Sequence, residues 1–299
     1  MSTAVKHELT NQIDTALLKH ELARDVKELS KLRPPVTYVA LVSDWAIIFG
    51  IAEVSVLSGS WIVYLLAVLV IAGRQHALFV LTHEGAHRRI SNNSLVNDLL
   101  SDLLIAFPIF LDTKGYRENH MQHHLYLNTE RDPDWVRKMG RPEWSFPMSN
   151  LKFYSLLARY AVGLGITEWW GLMTKFSGFL PLRNLRNPKV FKKAALRLLY
   201  YAVVISIVSR YSHPSYLLTY WLTPYVFVML VFQRIRSVAE HFGVGNEHEL
   251  NQSRNVIGSH LENLFIGTHG TCLPVLPLSI LLLACPPSVG FDKWLGLAW

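Results

Sequence analysis

Two apolar runs, residues 37–57 and 61–81, are separated only by Ser58-Gly59-Ser60, and no other feature constrains this chain as strongly. Each is about twenty residues long, enough to cross roughly 30 Å of hydrocarbon as a helix. In lipid the backbone groups of such a run must bond within the segment, so both runs are predicted to be helices. The three-residue turn makes them an antiparallel hairpin. A second apolar pair, 196–209 and 216–233, flanks Ser212-His213-Pro214 and is read as a second hairpin. Between the pairs, 94–111 is moderately apolar but carries Asn97, Asp98 and Asp102. It reads as a half-buried or re-entrant hairpin that ends near Pro108. Residues 154–174 are apolar and aromatic, with Trp169-Trp170 at one end, and would cross or lie at the interface, where Trp is enriched. Asp44, Arg74, Gln75 and His76 interrupt the first hairpin. Polar groups at such depth face the protein interior or a cavity.

The expected fold is therefore all-α: a polytopic membrane protein with about four transmembrane helices and a cytoplasmic histidine-rich cap. Residues 1–36 read as an N-terminal helix and linker, with Leu17, Leu18, Leu22, Val26 and Leu29 at helical spacing and Pro34-Pro35 ending the run. Residues 37–271 form the membrane domain. Residues 272–299 form an atypical apolar tail broken by Pro274, Pro277, Pro286 and Pro287. The first thirty residues hold no apolar core of a leader segment, so insertion is expected to use internal segments.

Charge fixes the orientation. Hydrophobic residues make up 51% of the chain and charged ones 17%, below the usual quarter or so, with a net charge of +7. The basic residues flank apolar segments, as Arg183, Arg186, Lys189, Lys192, Lys193 and Arg197 do. That placement points to cytoplasmic loops and not to nucleic acid. The N-terminus, Arg88-Arg89, the 183–197 cluster, Arg234 and Arg236 would share the cytoplasmic face. The only cysteines, Cys272 and Cys285, make neither a disulfide framework nor a structural zinc site. Metal binding must rest on histidines and carboxylates.

Three histidine motifs follow or separate the hairpins. The first is His83-Glu84-Gly85-Ala86-His87. Its two histidines are four apart, so on a helix they share a face with Cβ atoms roughly 5–6 Å apart. The second is His120-Met121-Gln122-His123-His124, whose imidazoles sit at i, i+3 and i+4. The third is Arg236-Ser237-Val238-Ala239-Glu240-His241. The topology returns all three to one membrane face, and imidazole suits iron, zinc and copper. Asp132 and Asp134 follow the second motif. They read either as a solvated Asp-Pro turn or as carboxylates that orient ligating imidazoles through their other N–H. Glu84 reads as a base or as a similar acceptor, and Arg236 as a partner for Glu240.

These motifs in this order resemble the membrane fatty acid desaturase family over roughly residues 37–269, and Glu262-Asn263-Leu264-Phe265-Ile266-Gly267 looks like the family's lead-in to its last histidine box. The resemblance implies a non-haem di-iron centre, dioxygen as co-substrate and double-bond formation in an acyl lipid. It makes His83, His87, His120, His123, His124 and His241 the metal-ligand candidates. It implies a lipid or acyl substrate and a separate electron donor, ferredoxin or cytochrome b5-like. One departure stands out. The family carries a third HxxHH box after the lead-in, whereas here Thr271-Cys272-Leu273-Pro274 follows and no histidine comes after His269. A shifted reading frame near residue 271 would account for that change. His248, His260 and His269 are the only nearby substitutes.

Other readings compete. A hydroxylase of the same family shares the first chemical step. His83-Glu84-Gly85-Ala86-His87 also fits the H-E-x-x-H pattern of zinc metalloproteases, with Glu84 as base. Without its last box, the chain could be a catalytically impaired homologue that binds only lipid or a partner subunit.

Overall fold

A computed structural model describes residues 31–176, 179 and 185–242. The expected N-terminal helix, the lead-in with His248, His260 and His269, and the 272–299 tail lie outside the described residues. Among the described residues all regular structure is helical. Helix α1 (Pro34–Ser58) begins on a proline and stops at Gly59, whose left-handed backbone (φ 59°) only glycine adopts without cost. Ser60 then leads into α2 (Trp61–Ala86). This helix runs past the apolar stretch expected to end at residue 81 and carries the first histidine motif on its last turn.

The next segment is bent, as its mixed polarity predicts. Helix α3 (Ser94–Ser101) is capped by the Asn93 side chain, which accepts from the Leu95 and Val96 N–H groups. It continues as a π-turn over Asp102–Ala106 and a 3-10 turn over Phe107–Ile109. The chain then turns by 88° into α4 (Thr113–Leu125), the helix of the second motif. A break inside an apolar core strands backbone carbonyls, and these must find donors. Three aromatic side chains supply them. Trp221 Nε1 donates to Pro108 O at 2.9 Å, Tyr225 Oη to Ile109 O at 2.8 Å, and Tyr201 Oη to Phe107 O at 2.5 Å.

Residues 154–174 do not form one crossing helix. They divide between α5 (Asn150–Ala161) and α6 (Ile166–Gly171), around a turn at Gly163 with φ 87°. The run at 196–209 lies within α7 (Pro188–Tyr211), followed by α8 (Ser215–His241). Among the described residues three helices, α1, α2 and α8, are long and apolar enough to cross a membrane, and the bent pair 94–109 with 113–125 makes a fourth if counted as one span. Helix α2 is the central post, buried along most of its second half. On α7 the apolar side chains face outward, Leu198 being 70% exposed, as a lipid-facing surface requires.

The polar residues of the first hairpin point inward. Asp44, Arg74, Gln75 and His76 are buried. Arg74 Nη1 donates to Asp44 Oδ1 at 3.0 Å, joining α2 to α1, and Gln75 Nε2 donates to Trp221 O at 2.8 Å, joining α2 to α8. Near the other end of the bundle, Asp112 caps α4 by accepting from Gly115 N at 2.6 Å and pairs with the buried Arg197 of α7.

Removing one partner of a buried pair leaves an uncompensated charge, at about 3–5 kcal/mol. Arg74→Ala is therefore expected to lower the melting temperature in detergent sharply. Arg74→Leu combined with Asp44→Leu is expected to recover most of the loss, and thermal unfolding of the two variants checks this.

Candidate metal centre

The ends of three helices place the histidines. His83 and His87 lie on and just after the last turn of α2, His120, His123 and His124 lie on α4, and His241 ends α8. One ring nitrogen each from His83, His87, His120 and His124 lies within 4.8 Å of the others. Three of these nitrogens are closer still. His87 Nε2 is 3.1 Å from His120 Nε2 and 3.2 Å from His124 Nε2, and the last two are 2.9 Å apart. His123 and His241 form an adjoining pair with ring centroids 5.0 Å apart. The His123 ring stands 5.8 Å from that of His120. All six expected residues are thus brought into one patch, four in a tight set and two beside it.

This crowding has a chemical meaning. A neutral imidazole has one N–H and one lone pair, so three Nε2 atoms in mutual contact cannot all be satisfied by each other. A divalent ion binds imidazole nitrogen at roughly 2.0–2.1 Å, which sets two ligands at right angles roughly 3.0 Å apart. The observed separations match that spacing. Burial, then the neighbouring His124 and the Arg89 and Arg117 charges, push the His87 imidazole down to about 4. It is therefore neutral at pH 7, the form that binds metal. His241 Nδ1 is buried and has no hydrogen-bond partner among the described residues, as an unused donor atom in such a site would be.

Carboxylates stand behind the rings. Both oxygens of Asp132 lie 2.9 Å from His123 Nδ1, and they also accept from the Asn128 and Asp134 N–H groups. Asp132 is thus both cap of the one-turn helix Pro133–Val136 and anchor of an imidazole, and because it is buried the orienting reading holds for it and the solvated-turn reading does not. Burial alone would raise its pKa, but the His123 hydrogen bond and charge and the two backbone N–H groups hold it below the usual carboxylate range. Asp134 hydrogen-bonds cations and not an imidazole. It pairs with Arg137 and Lys138, each at 2.5 Å, and these cations outweigh burial and keep its pKa well down. Lys138 Nζ in turn donates to Ser237 Oγ at 2.8 Å, one turn before His241.

Glu84 Oε1 lies 3.2 Å from His83 Nδ1, and its second oxygen faces Arg89 Nε at 3.8 Å. This carboxylate therefore orients His83. The tight set also extends to His120 and His124, a donor arrangement that the metalloprotease reading leaves unexplained. Arg236 Nε donates to Glu240 Oε1 at 2.7 Å, as expected. Sequence reasoning missed Gly85. A Cβ there would lie 2.3 Å from Ser101 Oγ and 2.9 Å from Ser101 Cβ, so glycine lets α3 pack against the α2 terminus between its two histidines. The small residue inside the motif was the available signal.

An all-helical membrane protein with imidazoles gathered at the ends of its spans is a narrow class. The family profile of fatty acid desaturases matches residues 59–271, more than half of the chain, and the chain belongs to that family. Among curated proteins it is similar to the dihydrorhizobitoxine desaturase of Bradyrhizobium elkanii, 36% identical over 38% of this chain and 34% of that protein. It is also similar to a chloroplastic sn-2 acyl-lipid omega-3 desaturase (ferredoxin) of Helianthus annuus, 30% identical over 38% of this chain and 29% of that one. An endoplasmic reticulum omega-3 fatty acid desaturase of Vigna radiata var. radiata is 26% identical over 62% of this chain and 49% of its own length. The chain thus spans between 29% and 49% of the length of these relatives.

Overpacking of this kind costs about 1–3 kcal/mol. Gly85→Ala is expected to lower the melting temperature and Ser101→Gly in the same chain to restore most of it. A double variant no more stable than Gly85→Ala would show that the approach of α3 does not depend on this contact.

Proposed function

We propose that this protein is a membrane oxidoreductase that uses iron and dioxygen to introduce a double bond into a fatty acyl chain or related lipid. The observation that carries the reading is the set of four converging imidazoles, His83, His87, His120 and His124, at the end of the apolar helix α2. These four residues would hold one metal, and His123 and His241 would belong to a second position beside it. Bound iron would supply the redox chemistry that activates dioxygen and oxidises an unactivated C–H bond.

The chain's own residues have distinct tasks. Neutral imidazoles resist oxidation better than thiolates, which an oxidising site requires. Glu84 and Asp132 fix the ring orientation of His83 and His123. The aromatic wall below the site, including Phe79, Tyr116 and Trp169, excludes water and offers apolar contact to an acyl chain. Arg88, next to His87, is exposed, and a cationic surface there would suit an acidic electron donor. The donor would be a ferredoxin or cytochrome b5-like protein, and the Helianthus relative, a ferredoxin-type desaturase by name, supports the former. The basic flanks of the spans support a cytoplasmic location for the histidine cap. Hydroxylation of the same kind of substrate shares the first step and differs in its product.

Elemental analysis of the purified protein is expected to find iron, up to two atoms per chain. His87→Ala is expected to abolish binding at the four-imidazole set and His123→Ala to remove the second position, with both variants still in the membrane. Lipid extracts of an expressing host are expected to contain newly unsaturated acyl chains. Full iron retention in both variants, or zinc at one per chain with proteolytic activity, would refute the proposal. Asp132→Asn is expected to weaken metal binding roughly 10- to 100-fold by releasing the His123 ring, which a cobalt(II) titration reads directly.

A further inference from the structure

We infer that Arg117 is a positioning residue: its guanidinium spans the two ligand-bearing helices and sets the separation of their imidazoles. The inference rests on the metal-site reading above. Arg117 lies on α4, three residues before His120 and seven before His124, so it shares their face of the helix. Its side chain reaches α2. Arg117 Nε donates to Ala86 O at 2.7 Å, and Nη2 donates to Gly85 O at 2.9 Å. Those two carbonyls belong to the residues between Glu84 and His87. One rigid plane therefore grips the backbone between the two α2 histidines and originates one turn from His120 and two turns from His124.

A third element holds the plane in place. On α3, Asp98 accepts from both ends of the fork, from Nη2 at 2.5 Å and from Nη1 at 3.2 Å. Asn97 Nδ2 donates to the same Gly85 carbonyl at 3.0 Å and to Asp98 Oδ1 at 3.0 Å, while its own Oδ1 accepts from Ile90 N at 3.0 Å. The clamp thus joins α2, α3 and α4 through one side chain. It also answers a need of the helix end, because the last carbonyls of α2 have no intrahelical partners and carry its negative dipole. The result is visible in the contacts across the two helices, His87 Nε2 to His120 Nε2 at 3.1 Å and to His124 Nε2 at 3.2 Å.

Lysine cannot do this work. An ammonium is a point donor, whereas the guanidinium satisfies two carbonyls and a carboxylate at fixed angles. Groups that orient ligands typically govern metal affinity by roughly 10- to 100-fold.

The test is a cobalt(II) titration of the purified full chain in lipid nanodiscs, read by the ligand-field spectrum as well as by affinity. Arg117→Gln is expected to weaken cobalt binding roughly 10- to 100-fold and to change the spectrum. Arg117→Lys is expected to recover only part of the affinity, and Asp98→Asn to give a smaller loss in the same direction. Melting of the metal-free variants separates positioning from folding, since Asp98→Asn and Arg117→Lys are expected to melt near the wild type. Wild-type affinity and spectrum in both of those variants would overturn the inference even if Arg117→Gln failed to fold. A wild-type chain that binds no cobalt or iron would instead sink the metal-site reading itself.

Discussion

The structure depends on one demand: a helix that has run out of apolar sequence must keep its backbone satisfied beyond the membrane surface. The apolar run of α2 ends near residue 81, yet the helix continues to Ala86 and delivers His83 and His87. The last carbonyls of a helix have no partners within it. Here Gly85 and Ala86 give theirs to Arg117 and Asn97, while His87 N–H bonds back to His83 O. The backbone also closes the end, since Arg88 N–H bonds Gly85 O at 3.0 Å and Arg89 N–H bonds Glu84 O at 2.9 Å.

The same accounting explains how α4 returns to α2. A straight continuation of α3 would carry the second motif away from the first. The bend of 88° around residues 110–112 brings it back, and it exposes the carbonyls of Phe107, Pro108 and Ile109 inside an apolar core. Tyr201, Trp221 and Tyr225 come from α7 and α8 to meet them. The second hairpin is therefore more than a lipid-facing wall. Its aromatic donors hold the break open at the angle that the histidines require, and Asp112 and Arg197 fix the start of α4 to the same hairpin.

Much of this was legible in the sequence, because lipid imposes simple rules. The hairpin at 37–81 follows from two apolar runs and a three-residue turn, and the inward aim of Asp44 and Arg74 follows from the cost of charge in hydrocarbon. The gathering of six histidines follows from helical spacing and from topology. The division into a set of four and a pair does not, since it depends on the angle between α2 and α4. Nor could composition separate Asp132 from Asp134, which differ by two residues. One meets an imidazole and the other meets Lys138 because a single turn of helix rotates them apart. The 154–174 stretch was apolar enough to resemble a span, but Gly163 and Gly165 break it into a cap that packs over α8.

Charge balance ties the site to its surroundings. In the proposed centre, four neutral imidazoles would leave the charge of a divalent ion uncompensated, and a buried charge without compensation is costly. The chain answers with carboxylates set one ring away. Glu84 stands behind His83 of the tight set, and Asp132 stands behind His123 of the pair. Each of the two carboxyl groups acts through the imidazole that it holds. Arg89 lies 3.8 Å from Glu84, and Arg236 lies 2.7 Å from Glu240. An arrangement with carboxylates directly in the ligand set would neutralise the ion more completely. Placing them one ring back leaves imidazole nitrogen, not carboxylate oxygen, facing the centre of the histidine set.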